Sequence, residues 1–408
     1  MPGGRPADDR VVTPQITHVD VLVVGGGPGG LVAAREVAAN GRFDVLLVER
    51  DRAVGAPVRC GEGVGSRGLG EFLDPTGASW VARRISRVVF WAPDGASVPI
   101  AHGDVGYILD RTRFEPALAA DAAVAGAEIR LGTEVTGLRR DGATWIAELR
   151  GPHGPSQVRA RIVIGADGVE SMVGRWAGLD TRVPARDMES CAQYVLGNID
   201  VDDDAIVLHF GESVAPGGYA WVFPKGDRTA NVGLGVVTVH ARKTRPGRTA
   251  VGYLDAYVQA IFPTGVKTGR TVGGVIVHTT VKRPFADGIM LCGDAAHMIN
   301  PLSGAGIVNA MKAGRLAGET ACAALDVADT SARRLSSYYD RWMAMLGSDH
   351  ERFYRVKEAL SRFDDAFFNR LARTVLGIPE DRRTLGRVFA AALAQHPSLL
   401  PVIARYFV

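Results

Sequence analysis

The sequence predicts a mixed α/β fold, α+β in detail. An open-sheet unit is left and re-entered by the chain, an antiparallel-sheet unit is inserted into it, and helices close the C-terminus. Three observations predict this. An apolar run, Val19 to Val24, enters the turn Gly25-Gly26-Gly27-Pro28-Gly29-Gly30. Residues 190–277 are rich in alternating apolar positions, the period of a half-buried strand. From Ile307 onward the apolar spacing is helical.

The first unit follows element by element. Gly25, Gly27 and Gly30 spell G-x-G-x-x-G where a strand hands over to a helix. Gly25 allows the tight turn, Gly27 lets the backbone approach a pyrophosphate, and Gly30 lets helix pack on strand. The helix, residues 28–39, opens at Pro28 and stops at Asn40-Gly41. Its free N–H groups and positive dipole end favour phosphate. Asp44 to Val48 forms the next strand and ends at Glu49. An acid about 20 positions after such glycines holds the ribose hydroxyls of an adenine dinucleotide. Together these features describe a Rossmann-like unit for either NAD or FAD.

A hairpin is expected over 85–100 around Pro93-Asp94-Gly95, and a helix from Asp110-Arg111 through Phe114. A three-strand meander near 133–139, 143–149 and 157–164 runs into Gly165-Ala166-Asp167-Gly168. The open-sheet unit resumes with Gly288 to Asp294. This reading assigns 17–80, 105–180 and 278–330 to a discontinuous nucleotide domain and 81–104 with 181–277 to a substrate domain. Residues 331–408 form a C-terminal helical region. The charges of both signs over 333–376 suggest a solvated face, and the start of the chain, 1–16, reads as a loose polar tail.

Composition excludes other classes. The 408 residues carry a net charge of +3 and no basic stripe interleaved with aromatics, so nucleic acid is not expected as a partner. Cys60, Cys191, Cys292 and Cys322 lack metal-ligand spacing, so neither zinc nor a disulfide framework is expected. No apolar run reaches the roughly 18–20 residues of a membrane span, and a cytoplasmic protein is expected.

The returning segment separates the two dinucleotides. Gly293-Asp294 follows a strand end, and Gly304-Ala305-Gly306-Ile307 leads into another helix start. An aspartate there can accept from ribityl hydroxyls, and a helix N-terminus can stabilise charge on a reduced isoalloxazine. Over three blocks, Gly25 to Gly30 with Glu49, Gly165 to Gly168 through Ser171 and Arg175, and Gly293 to Gly306, the chain resembles the FAD-dependent oxidoreductases built like p-hydroxybenzoate hydroxylase. The resemblance implies tightly held, non-covalent FAD. Its contacts would include Gly25, Gly27, Pro28, Gly30, Glu49, Arg50, Arg59, Cys60, Arg111, Asp167, Gly293, Asp294 and Gly304 to Ile307.

Two further segments narrow the family. Pro57-Val58-Arg59-Cys60 and Tyr219-Ala220-Trp221-Val222-Phe223-Pro224 look like the P-x-x-C and Y-x-W-x-F-P signatures of the geranylgeranyl reductase family, which saturates isoprenoid double bonds. The family implies a long apolar substrate and a pocket formed by Tyr219, Trp221, Phe223 and Pro224. Three of these, Tyr219, Trp221 and Phe223, alternate and therefore share one face of a strand. An isolated alkene has no group to accept hydride, so a proton must arrive early in a site that excludes water. Cys60 and Glu62 are the titratable candidates on the neighbouring loop, with Tyr219 and Trp221 beside them. Gly61 and Gly63 would let the backbone approach the flavin ring.

Competing signals stand alongside. His297 after Gly293-Asp294-Ala295-Ala296 also occurs in aromatic monooxygenases, and the aromatic strand loosely resembles that of flavin halogenases. A non-catalytic prenyl-binding carrier of the same architecture is the third alternative, opposed by intact Glu49 and Gly293-Asp294. Gly63 to Gly68 repeats G-x-G-x-x-G without a preceding strand and is assigned to the loop beside the flavin. The reductant must therefore visit, as NAD(P)H or a ferredoxin-like protein. The apolar end, 385–408, suits a membrane surface, a cap over a lipid tunnel, or a packed helix pair.

Overall fold

The computed structural model describes residues 16–395. The first unit opens with β1 (Ile16–Val24), α1 (Pro28–Ala39) and β2 (Val45–Val48). The chain then builds β3 (Gly63–Gly65), the kinked single turn α2 (Ser66–Leu69), β4 (Val81–Trp91) and β5 (Ser97–Leu109) in a second sheet. It returns through α3 (Arg111–Val124), β6 (Glu128–Arg130), β7 (Glu134–Asp141), β8 (Thr144–Gly151), β9 (Gly154–Gly165) and α4 (Met172–Trp176). Next come β10 (Met188–Gly197), β11 (Ala205–His209), β12 (Tyr219–Gly226), β13 (Thr229–Val237), α5 (Thr238–Thr244), α6 (Ala250–Ile261) and β14 (Val266–Ile276). The pair β15 (Phe285–Ala286) and β16 (Ile289–Leu291) re-enters the first sheet, and α7 (Ile307–Asp326), α8 (Ala332–Trp342), α9 (Ser348–Leu360), α10 (Asp365–Leu376) and α11 (Leu385–Gln395) follow.

The first sheet runs β15-β16-β9-β1-β2-β6, parallel from β16 to β6, with the β7–β8 ribbon attached to β9. Val21 to Val23 and Val45 to Val48 are nearly inaccessible because helices cover both faces. Helix α1 lies against α7 at a very short spacing. A Cβ on Gly314 would collide with the Gly29 carbonyl, and one on Gly318 would stand 2.8 Å from the Ala33 carbonyl oxygen. The small residues thus bring α7, and the loop preceding it, down onto the glycine turn.

The second sheet has the order β14-β10-β13-β12-β11-β4-β5-β3. It departs from the sequence expectation at two places. The β11–β4 junction is parallel, pairing Ala205 with Arg87 and His209 with Trp91, so the sheet is mixed rather than antiparallel throughout. In addition, α5 and α6 occupy part of 190–277. Thr249 caps α6 by accepting the Gly252 N–H, and Ala250, Tyr253, Leu254, Tyr257 and Val258 are buried at helical spacing. That spacing was readable in the sequence and was obscured by the alternating strands on either side.

The C-terminal helices also differ from a purely solvated face. Leu335, Tyr338 and Trp342 of α8, Val356 of α9, and Phe367 and Val375 of α10 are buried, leaving charges on the outward side. Helices α10 and α11 pack on the hairpin β4–β5 through Ala372, Val375 and Ala391 against Ala92, Val98 and Ile100. In the 385–408 stretch, α11 therefore packs on the protein, while 396–408, like 1–15, lies outside the described residues.

Replacing Gly314 by alanine places a methyl group in the α1–α7 contact. The variant is expected to lose about 1–3 kcal/mol of stability. Urea unfolding should report this as a lower midpoint at unchanged slope.

Candidate functional site

A cleft of about 1410 Å³ runs from the glycine turn, between the two sheets, to a space beneath α10 and α11. Its floor at one end is the dinucleotide cradle. Gly25 has φ +106, and a Cβ there would strike the Ala166 carbonyl, so only glycine makes this turn. Gly27 has nothing within 4 Å of a Cβ position, leaving its backbone bare toward the cleft. It also starts α1 without a side-chain cap, so the first N–H groups of the helix remain available to an anion. Gly30 does not line the cleft as a contact residue. A Cβ on it would collide with the Gly25 carbonyl, which makes it a packing glycine.

Glu49 reaches back to this turn. Its Oε2 accepts the Gly26 N–H at 2.6 Å and its Oε1 the Asp51 N–H at 2.8 Å, fixing the carboxylate at the cleft wall. Arg50 pairs with Glu170 at 2.9 Å and Arg59 with Asp51 at 3.4 Å, both at the exposed rim. The Glu170 hydrogen bond, with other acids nearby, raises the Arg50 pKa against partial burial.

Two carboxyls face the cleft with unused acceptors. Asp167 Oδ2 takes the Val173 N–H at 2.9 Å, but its buried Oδ1 has no partner. Asp294 has no side-chain partner among the described residues. Burial raises both pKa values above the ordinary aspartate range. Beside Asp294, the loop from Asn300 to Gly306 folds on itself. Asn300 Oδ1 accepts from Leu302 and Ser303, and Gly304 turns with φ +70 into the uncapped start of α7. Idle carboxyl oxygens and two uncapped helix starts along one cleft fit a molecule with hydroxyl donors and phosphates, as a flavin adenine dinucleotide carries.

The middle of the cleft is the loop from Pro57 to Gly63. Glu62 adopts φ 69 and is buried. Its Oε1 accepts the Arg111 N–H at 2.8 Å; its Oε2 accepts from Lys225 Nζ and Asn231 Nδ2, each at 2.7 Å. Lys225 also donates to the Leu109 carbonyl at 2.6 Å. Cys60 Sγ accepts the Glu62 N–H at 3.2 Å. Arg111 stands beside Cys60 and Glu115. Burial opposes its charge, but its interactions with Cys60 and Glu115 outweigh this and hold its pKa above the ordinary value. Glu115, fully inaccessible, has its own pKa raised by burial although it pairs with Arg111.

The aromatic strand closes the opposite wall. Tyr219, Trp221 and Phe223 of β12 face the cleft, whereas Ala220, Val222 and Pro224 point to the buried other side. Pro224 is thus corrected from pocket residue to core residue, as the strand period requires. Trp221 Nε1 donates to Gln193 Oε1 at 2.9 Å, and Gln193 Nε2 donates to the Cys60 carbonyl at 3.0 Å. Tyr219 donates to the Ser303 carbonyl at 2.6 Å, tying the strand to the loop before α7. The loop glycines serve this wall. Cβ atoms at Gly61 and Gly63 would each lie 3.0 Å from the Phe223 ring, so the ring that they admit belongs to Phe223.

Fifteen of the sixteen cofactor positions line the cleft, Gly30 being the exception. His297 is buried, away from the cleft lining, with φ 56, and burial lowers its pKa to about 4. The echo at Gly63 to Gly68 is the edge strand β3, which pairs with β5, followed by a kinked turn. Sequence reasoning missed Gln193, Lys225, Asn231 and Glu189. Only Lys225 carried a signal, since it follows Phe223 on the same strand face.

Comparison with known proteins adds identity to this geometry. Residues 187–276 match a family model described as the geranylgeranyl reductase catalytic domain, and residues 23–83 match an NAD(P)-binding Rossmann-like domain. The digeranylgeranylglycerophospholipid reductase of Methanosphaerula palustris is 42% identical over 390 residues, covering 94% of this chain and 96% of its own. A geranylgeranyl bacteriochlorophyll reductase-like structure from Thermoplasma acidophilum superposes with a TM-score of 0.87 at 32% identity, covering 96% of this chain and 100% of that one. A flavin-dependent brominase has a TM-score of 0.70 at 16% identity, covering 94% of this chain and 100% of its own, and shares the fold alone.

Removing the Lys225 ammonium would leave Glu62 charged, buried and short of a donor. Lys225→Met is expected to cost roughly 3 kcal/mol in urea unfolding. Adding Glu62→Gln should recover part of that loss, because no uncompensated charge then remains.

Proposed function

The chain belongs to the geranylgeranyl reductase family of FAD-dependent oxidoreductases, which reduce isoprenoid carbon–carbon double bonds, and we propose that its substrate is a glycerophospholipid bearing two geranylgeranyl chains. The observation that carries this reading is the extent of the cleft. Beyond the cradle it continues as an apolar channel walled by Val88, Phe90, Leu208, Phe368, Leu371 and Val388. A volume of about 1410 Å³ exceeds the ~300–1,000 Å³ of an ordinary small-molecule pocket. It leaves room for a long chain beside the cofactor.

Reduced flavin, when bound, supplies the hydride. The chain's own residues do the rest. Gly27, the start of α1 and Glu49 hold the adenine half; Asp167, Asp294 and the loop before α7 hold the flavin half. Trp221, Phe223 and Tyr219 form the wall against which the alkene is pressed, and the channel excludes water from it. Cys60 and Glu62, expected from the sequence to give the proton, take a different part in this reading. Glu62 is occupied by Arg111, Lys225 and Asn231, and Cys60 stands against the Arg111 guanidinium and takes the Glu62 N–H. Both therefore shape the loop and hold Arg111 at the cleft.

The electron donor is a visitor, a nicotinamide cofactor or a ferredoxin-like protein, since β3 and its turn belong to the second sheet. A lipid substrate calls for contact with a membrane surface. None of the described helices is long and apolar enough to cross one.

The test reduces the bound flavin anaerobically and offers a digeranylgeranyl glycerophospholipid and, separately, small phenols. Reoxidation by the lipid with a gain of two hydrogens per bond is expected. No reoxidation by the lipid, together with oxygen-dependent gain of one oxygen on a phenol, would overturn the reading in favour of hydroxylation. Leu371→Trp, which narrows the channel, should lower kcat/KM for the lipid about tenfold. It should spare flavin content.

A further inference from the structure

We infer that Glu189 is the proton donor of this site, delivering its proton to the alkene carbon that does not receive hydride. The inference rests on the reductase reading above.

Glu189 lies on β10 in a row with Cys191 and Gln193, and all three line the cleft. The neighbouring strands leave it space. Gly235 of β13 pairs with Cys191 on one side and Tyr219 on the other, and a Cβ there would come within 2.7 Å of Glu189 Oε2. Gly233, one step along the same face, does the same for Trp221. The carboxyl thus sits in a slot beside the aromatic wall. Among the described residues it has no hydrogen-bond or ion-pair partner, in contrast to Glu62 with its three donors.

The surroundings decide its protonation. Val275 of β14 stands opposite on one side and Val237 of β13 on the other, and neither carries charge. Cys191 on its own strand and Tyr219 on β12 both have pKa values raised by burial, so they stay neutral. The ammonium of Lys357 on α9 is the cation that acts on it. That ammonium is held elsewhere, by Asp187 at 2.5 Å and the Val277 carbonyl at 2.8 Å. Burial therefore prevails over the pull of Lys357 and raises the Glu189 pKa to about 7. The group is an acid below that pH and a carboxylate above it, matched to proton transfer near neutrality.

The step balances. The alkene π bond, the Glu189 O–H bond and the N–H bond of the reduced flavin that carried the hydride break, and two C–H bonds form, one from hydride and one from the proton. The alkene is reduced by two electrons and the flavin oxidised by two. Glu189 is left as carboxylate and regains its proton from solvent between turnovers. The external two-electron donor restores the reduced flavin.

The test compares wild type with Glu189→Gln as flavin-loaded enzymes. Single-turnover reduction of the digeranylgeranyl lipid by wild type should fall as pH rises through about 7. In the variant it should drop about a hundredfold and lose that dependence, with flavin content and spectrum unchanged. Infrared difference spectra of the oxidised enzymes without substrate give a reading independent of turnover. A carboxylic-acid band should vanish near pH 7 in wild type and be absent from the variant. Retained rate and pH profile in Glu189→Gln overturn the inference, as does titration at the ordinary glutamate value. A wild type inert toward the lipid overturns the reductase reading instead, and the infrared titration still judges Glu189 itself.

Discussion

The buried carboxylate of Glu62 is the interaction on which the site depends. It binds the backbone N–H of Arg111 at the start of α3, the ammonium of Lys225 on β12 and the amide of Asn231 on β13. Those partners belong to different parts of the fold, so one ion joins the loop from Pro57 to Gly63 to the second sheet and to the start of α3. Burying a carboxylate is costly unless hydrogen bonds and an opposite charge compensate, and here all three donors are in place. The positive φ of Glu62 is tolerated within this network, which over-determines the conformation.

Around that junction, glycine and aromatic residues are matched. Gly61 and Gly63 admit the Phe223 ring, Gly233 admits Trp221, and Gly235 admits the carboxyl of Glu189. A sheet face stripped of side chains at these positions becomes a shallow trough that the aromatics partly refill. Gln193 then stitches Trp221 to the Cys60 carbonyl, so the wall and the loop hold one relative position. Such pre-organisation lets a featureless hydrocarbon be held against a reactive ring, since the alkene itself offers no polar handle.

Much of this was legible in the residues. The turn at Gly25 to Gly30, Glu49 and the block at Gly293 to Ile307 are local patterns whose chemistry is set by backbone geometry within a few residues. The alternation of Tyr219, Trp221 and Phe223 likewise gave a face, and the same period excludes Pro224 from it. The roles of Gly61, Gly63 and Glu62 were not legible. Each depends on a strand more than 150 residues away in sequence, with Phe223, Lys225 and Asn231 arriving only when the loop packs on the second sheet. The helix α6 was readable at Thr249 and its spaced apolar residues, yet the alternation around it prevailed.

By itself, then, the sequence determined the mixed α/β fold class and the family, because these reside in short segments with fixed turn geometry and strand or helix period. The tertiary structure decided which titratable groups are spent and which are free. Glu62 and Glu189 are the same residue type, and nothing local distinguishes them. One meets three donors from the second sheet and the start of α3 and is fixed as an anchor; the other meets glycine, valine and burial, and keeps its proton near neutral pH. Protonation depends on the dielectric surroundings and charges that packing brings within reach, and those come from the whole fold.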